Sequence, residues 1–311
     1  MLSILAITVP IFALILVGWG ARRKGIFGPA TSGELNRFVV NLALPALLFQ
    51  IVAKVRWQEI WQPGFIGAFG IGAFSVFAIT VALRVRRSRH LADAAIDGLN
   101  AAYANTAYIG FPLALSALGP AGLTAPLIAS ILTVCLLFAL GLILIEVGLQ
   151  QEPHPLHMAA KVGRALARNP LLVAPVLGAV WLATGIPLPD SADHFLKLLG
   201  GAASPCALVG LGAFLAERRP AGRGEGASVA VLCLAKLIAQ PLLTWVLATR
   251  IFHLAPETTR AAVLLATLPT GTGPFMVAEY HGREATITAR TILITTLLSL
   301  VTITVCLALL P

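Results

Sequence analysis

The feature that most constrains this chain is a succession of long apolar runs joined by short, basic connections. A helix needs roughly 20 apolar residues to cross the hydrocarbon layer of a bilayer. By that measure the sequence predicts ten spans, which occupy about 200 of the 311 residues and leave only short loops. They run from Leu2 to Ala21, Leu35 to Ala53, Pro63 to Leu83, Ala92 to Leu118, Gly122 to Val147, Asn169 to Thr184, Ala192 to Ala216, Ala227 to Thr249, Thr258 to Tyr280 and Ala285 to Leu310. Twelve spans with ordinary loops would be crowded, and a membrane barrel would show alternation in place of long apolar runs. Only 11% of the residues are charged, against about a quarter in soluble domains. The expected fold class is an all-α polytopic membrane protein.

A net charge of +9 would suggest nucleic acid in a soluble domain. Here the basic residues cluster between spans, so topology explains them and no nucleic-acid partner is expected. With the N-terminus outside, the cytoplasmic side holds Arg22, Arg23, Lys24, Arg37, Arg84, Arg86, Arg87, Arg89, Lys161, Arg164, Arg168, Arg218, Arg219, Arg223 and Arg283. The other side holds only Lys54, Arg56, Lys197, Arg250 and Arg260. Both termini are therefore expected on the non-cytoplasmic side of the plasma (inner) membrane, with lipid as the surrounding partner. The first run lacks a basic leader and is followed by Arg22-Arg23-Lys24, which reads as a retained span. Cys135, Cys206, Cys233 and Cys306 lie in apolar runs without CxxC spacing, so no disulfide, metal or cofactor is implied. His154-x-x-His157 has the form of a metal pair, but no third ligand is near and the stretch reads as a solvated loop.

The longest connection, 148–168, divides the chain into 1–147 and 169–311, each with five spans. An odd number of spans per half forces the second half to enter from the opposite side, so any similarity between them is an inverted repeat. Spans two and seven each place a proline, Pro45 and Pro205, eight positions after a basic residue, Arg37 and Lys197. Spans four and nine are both interrupted midway, by Asn105-Thr106-Ala107-Tyr108-Ile109-Gly110-Phe111-Pro112 and by Pro269-Thr270-Gly271-Thr272-Gly273-Pro274-Phe275. Proline removes a donor and glycine weakens the turn, so both helices are expected to break. Pro112 and Pro274 would then open the second half-helices, a position that suits proline. Half-helix N-termini carry unpaired amides and partial positive charge, a natural seat for a carboxylate.

At these residues the chain resembles the auxin efflux carrier family of bacterial and plant transporters. The similar stretches are Asn41-Leu42-Ala43-Leu44-Pro45-Ala46-Leu47-Leu48-Phe49, then Ala104 to Pro112, Leu268-Pro269-Thr270-Gly271, and the tail Ala289 to Thr304. The resemblance implies ten helices in two inverted five-helix repeats, with broken helices four and nine crossing. It implies a scaffold of helices 1, 2, 6 and 7 and a mobile transport domain of helices 3–5 and 8–10, moving as an elevator. The implied substrates are small organic anions such as auxin, malonate or malate, and Asn105 matches the family's substrate-contacting asparagine. Pro112 and Pro269 match as helix breakers. Plant members carry an acidic residue and a lysine on the third helix, whereas Pro63 to Leu83 has no ionisable residue.

Lys236 stands near the middle of the eighth span, with Gln240 one turn on. A central lysine costs about 3 kcal/mol on insertion scales, which makes it a functional candidate by default. It could counter the substrate's charge or take the place of sodium in cation-coupled relatives. It could also snorkel, or pair with an acid such as Glu279. Glu146 and Glu279 read as interfacial, and Arg290 as close enough to the cytoplasmic face to snorkel. Asn41 and Asn100 fall near the crossing in the family arrangement, although an asparagine in a span also bridges helices for about 1 kcal/mol.

A retinal protein needs its lysine in the last of seven spans, and two spans follow Lys236. No acidic pair, HExxH or nucleotide loop supports an enzyme, and no carbonyl-filter repeat supports a channel. The reading is a secondary active transporter of a small organic anion, with no catalytic residues, and a homodimer as an open assembly. Its expected substrate site comprises Asn105, Thr106, Tyr108, Thr270, Thr272, Lys236 and Asn41, and its helix breaks fall at Gly110, Pro112, Pro269, Gly271, Gly273 and Pro274. The alternative is a sodium-coupled symporter of the same fold, with a membrane receptor or enzyme further behind.

Overall fold

A computed structural model describes the backbone of residues 2–87, 89–150, 155–217 and 225–309. His154, the His157 side chain, Arg218, Arg219, Arg223 and Leu310 lie outside the described residues. The described chain is helical: α1 (Leu2–Arg23), α2 (Thr31–Ala53), α3 (Pro63–Arg86), α4 (Leu91–Ala102), α5 (Thr106–Leu118), α6 (Thr124–Leu149), α7 (Pro155–Arg168), α8 (Pro170–Ala183), α9 (Asp190–Ala216), α10 (Glu225–Ile251), α11 (Pro256–Ala266), α12 (Gly273–Tyr280) and α13 (Thr286–Leu309). Of these α2, α3, α6, α9, α10 and α13 are long and apolar enough to cross a membrane, and α5 and α8 are shorter apolar helices. The chain is a multi-pass helical membrane protein.

Three prolines shape these helices in the same register. Wide π-turns cover Val39–Ala43, Thr106–Gly110 and Ala235–Ala239, and each ends two residues before a proline: Pro45, Pro112 and Pro241. Proline lacks the amide for the i−4 carbonyl and its ring collides with it, and a widened turn moves that carbonyl aside without ending the helix. Pro112 therefore lies inside α5 and does not open it. The fourth span instead breaks at 103–105, before Gly110 and Pro112, and resumes at Thr106.

The helices pack in two groups. In one, α1 lies along the second half of α9, and α2 packs against α8 and both halves of α9. Glycines allow the closest approach: a Cβ at Gly18 would strike the Val209 carbonyl, and one at Gly212 the Ile15 carbonyl. Small residues serve this purpose in membrane helix pairs, where backbones must meet to gain dispersion contacts. In the other group α4 packs between α3 and α6, while α10 packs on α3, α11 and α13.

Ion pairs tie the second group together at its ends. Asp93 takes two bonds from Arg283, at 2.8 and 2.6 Å. Asp97 lies 3.0 Å from Arg84 and 3.6 Å from Arg89. Arg290 does not snorkel alone: it pairs with Glu225 at 2.8 Å and joins α13 to α10. Glu146 meets His281 at 3.3 Å.

Candidate functional site

Two interrupted spans meet at their breaks. Ala104 and Thr270 form an isolated antiparallel bridge, in which Asn105 N–H donates to Pro269 O at 2.9 Å and Gly271 N–H donates to Tyr103 O at 3.0 Å. Four half-helices therefore radiate from one point: α4 and α11 arrive with their C-termini, and α5 and α12 leave from their N-termini. Irregular backbone within a membrane protein's interior requires internal partners, and each strand-like segment satisfies the other.

The glycines of the ninth-span break are required by an aromatic ring. A Cβ on Gly271 would lie 2.8 Å from the Tyr103 ring, and one on Gly273 would lie 2.9 Å from it and 3.1 Å from Phe138. Tyr103 and Phe138 pack ring on ring, with centroids 5.6 Å apart. The ring of Tyr103 thus closes one side of the crossing. Pro274 stands in the first turn of α12, where its missing amide costs no bond.

A small cavity of about 20 Å³ opens at the crossing, room for roughly one water. Asn105, Thr106, Tyr108 and Thr272 line it, together with Tyr103, Gly271, Met276, Leu44, Leu47 and Ala203. Leu44 and Leu47 belong to α2 and Ala203 to α9, so the cavity lies on the seam between the two helix groups. Asn36 of α2 reaches across the same seam and donates to Met276 O of α12 at 3.0 Å.

The polar groups of the cavity differ in how far they are already engaged. Thr106 is committed: Ser130 Oγ donates to its hydroxyl at 3.0 Å, and Thr106 donates onward to Thr133 at 2.9 Å, because the Thr133 proton goes to Ala129 O. Asn105 precedes α5 in non-helical conformation, yet its side chain makes no capping bond to the turn that follows. The Tyr108 hydroxyl is buried beside Ser204 but outside hydrogen-bond geometry, which leaves it without a partner. The Thr106 amide of α5 donates back to Ala104 O at 2.8 Å and Pro274 of α12 has no amide, while the other first-turn amides have no carbonyl one turn back to accept them, as at any helix start.

Three of the expected site residues stand elsewhere. Thr270 is sealed in the bridge, its hydroxyl donating to Asn100 O at 2.7 Å and its amide to Thr295 Oγ1 at 3.2 Å. Asn41 is exposed and donates to Arg37 O at 2.9 Å. Lys236 is fully buried and donates to Ala266 O at 2.8 Å, while Glu279 lies 3.5 Å from Ser32. Pattern reading overlooked Tyr103, Leu44 and Leu47, although an aromatic residue two positions before Asn105 and apolar residues flanking Pro45 were available signals. Among the described residues no three His, Cys, Asp or Glu side chains converge as a metal would require.

Two broken helices that cross with half-helix ends beside a cavity are an arrangement found in membrane transporters. The chain belongs to the family described as membrane transport protein, whose model matches residues 3–307. It is 32% identical over 307 residues to a Rhizobium meliloti protein named "Putative malonate transporter", covering 98% of this chain and 95% of that one. An uncharacterized transporter of Methanothermobacter thermautotrophicus is 25% identical, covering 94% of each chain. Auxin efflux carrier component 6 of Arabidopsis thaliana is 32% identical over 145 residues, 43% of this chain and 25% of the plant protein. The membership agrees with the auxin efflux carrier resemblance of the motifs.

Proposed function

We propose that this protein is a secondary active transporter of a small organic anion, a mono- or dicarboxylate. The observation that carries the proposal is the pair of half-helix N-termini at the crossing, which face a cavity lined by the polar side chains of Asn105, Tyr108 and Thr272. Amide ends and neutral donors suit a carboxylate, and they do so without a fixed positive side chain. The name of the Rhizobium meliloti relative makes malonate the first compound to test.

Transport in this reading is an elevator. Helices α1, α2, α8 and α9 form the scaffold, and α3–α6 with α10–α13 form the moving body, so that ten spans make two inverted repeats. The cavity on the seam supports it: a space of about 20 Å³ must widen for a dicarboxylate, and separation of the groups widens it. Outward-facing termini, an inner-membrane location and a homodimer belong to the same proposal. The test is a thermal-shift screen of detergent-purified protein against mono- and dicarboxylates, since a ligand of the folded state raises the midpoint with concentration. A concentration-dependent shift by one class, carried through to uptake in proteoliposomes, is the expected result. Indifference to every carboxylate sinks the proposal.

A further inference from the structure

Two cavities flank Arg260, and neither shares a lining residue with the cavity at the crossing. The first, of about 420 Å³, is a polar recess at the start of α3, lined among others by Gln62, Thr124, Glu257, Thr258 and Arg260. The second, of about 480 Å³, is an apolar groove between α10 and α13 with α11 as its floor. Val263 and Thr267 of α11 are buried at its base, and Leu242, Trp245, Val301 and Val305 stand exposed along its walls. Arg260, Val263 and Thr267 recur at helical spacing, so Arg260 continues that floor by one turn. It lies within electrostatic reach of Cys306, which also lines the groove.

The charges of the recess are uncommitted. Glu257 and Arg260 are neighbours one turn apart on α11, close enough to pair. Among the described residues, however, neither forms an ion pair or a side-chain hydrogen bond. Arg260 Nε is buried without a partner, an unfavourable state for part of a charged group. Trp61, next to Gln62, and Trp245 are exposed aromatic residues of the kind that marks the headgroup level of a bilayer. A polar recess at that level beside an apolar groove has the same division as a phospholipid.

We propose that this site binds one phospholipid with an amine-bearing headgroup, of the phosphatidylethanolamine type. The Arg260 guanidinium takes the phosphate, whose oxygens its planar fork of donors matches. Glu257 accepts from the ammonium two carbons away, and one acyl chain lies in the groove over Val263 and Thr267. A headgroup without an amine leaves the Glu257 carboxylate unanswered, and a trimethylated amine has no N–H to donate to it. The bound lipid braces α11, whose last residue Ala266 leads toward the bridge, against α10 and α13. The site stands whatever the crossing carries.

The experiment is native mass spectrometry of the detergent-purified protein with equimolar phosphatidylethanolamine, phosphatidylglycerol and phosphatidylcholine, followed by thermal midpoints with each lipid. Wild type is expected to hold one phosphatidylethanolamine about tenfold more tightly than the other two, and to gain stability from it with concentration. Arg260→Gln is expected to lose the retained lipid. Glu257→Gln should keep one but bind all three alike, and Val305→Trp, which fills the groove, should weaken all three. Equal retention of the three lipids by wild type overturns the proposal, as does a preference for phosphatidylglycerol or retention of none. Wild-type behaviour of Arg260→Gln overturns it too. Should Arg260→Gln fail to fold, Glu257→Gln decides, since Glu257 is exposed and a preference kept in that variant refutes the headgroup assignment.

Discussion

The two breaks at the crossing share a composition of threonine, glycine and proline but differ in use. The ninth-span break is a clasp: Thr270 has both its hydroxyl and its amide bonded, and Gly271 and Gly273 lie under the Tyr103 ring. The fourth-span break is open: Asn105 caps nothing, and the Tyr108 hydroxyl, buried beside Ser204, completes no well-formed hydrogen bond. Thus one break maintains the crossing while the other keeps donors available at it. Breaks of like composition need not be equivalent, and the hydrogen-bond inventory tells the two apart where composition does not.

The sharpest way to break that comparison is to add bulk to the clasp. Gly271→Val drives a branched side chain into the Tyr103 ring, and overpacking of this kind costs about 3 kcal/mol. We expect loss of the monodisperse folded peak in size-exclusion chromatography. A Cβ at Gly110 of the fourth span would instead meet leucine ends at 3.3 and 3.5 Å and the Pro126 ring at 3.5 Å, near ordinary contact, so Gly110→Ala should change stability by less than about 1 kcal/mol. Next in size is Thr270→Val, which leaves Asn100 O without its buried donor, a loss of roughly 2 kcal/mol. Its thermal midpoint should fall while malonate shifts the midpoint as in wild type.

Asn105→Ala should show the opposite pattern. Ligand affinity is expected to drop about tenfold, the effect of one polar contact, with the midpoint of the unliganded protein nearly unchanged. Calorimetric titration measures this directly, and wild-type affinity would remove Asn105 from the site. The smallest effect is expected from Pro112→Ala. Restoring an amide lets the π-turn at Thr106–Gly110 tighten, and the midpoint should move by less than about 1 kcal/mol equivalent. A large loss there would mean that proline itself, not the Tyr103–Asn105 segment, maintains the break.

The fold was legible where periodicity and burial speak through composition. The run Thr124–Leu149 and the run Thr286–Leu309 announce themselves as spans, because lipid demands apolar side chains on every face. The break in the ninth span was equally legible, since Pro269 to Pro274 leaves a helix few bonds to form. In the fourth span the same reasoning pointed to Gly110 and Pro112, whereas the chain departs from helix at Tyr103–Asn105. A local rule sees that proline disturbs a helix but not whether a π-turn absorbs the disturbance. At Tyr103 the decisive partner, Pro269 to Gly271, is more than 160 residues away in sequence.

The sequence by itself determined a polytopic helical membrane chain with two weakened spans and a buried lysine, because solvent and backbone chemistry act residue by residue. Only the tertiary structure decided which carbonyl Lys236 would meet, which threonine would be sealed and which asparagine left unengaged. Those assignments depend on pairings between distant segments, and a hydrogen bond, unlike hydrophobic burial, exists only when one particular donor reaches one particular acceptor.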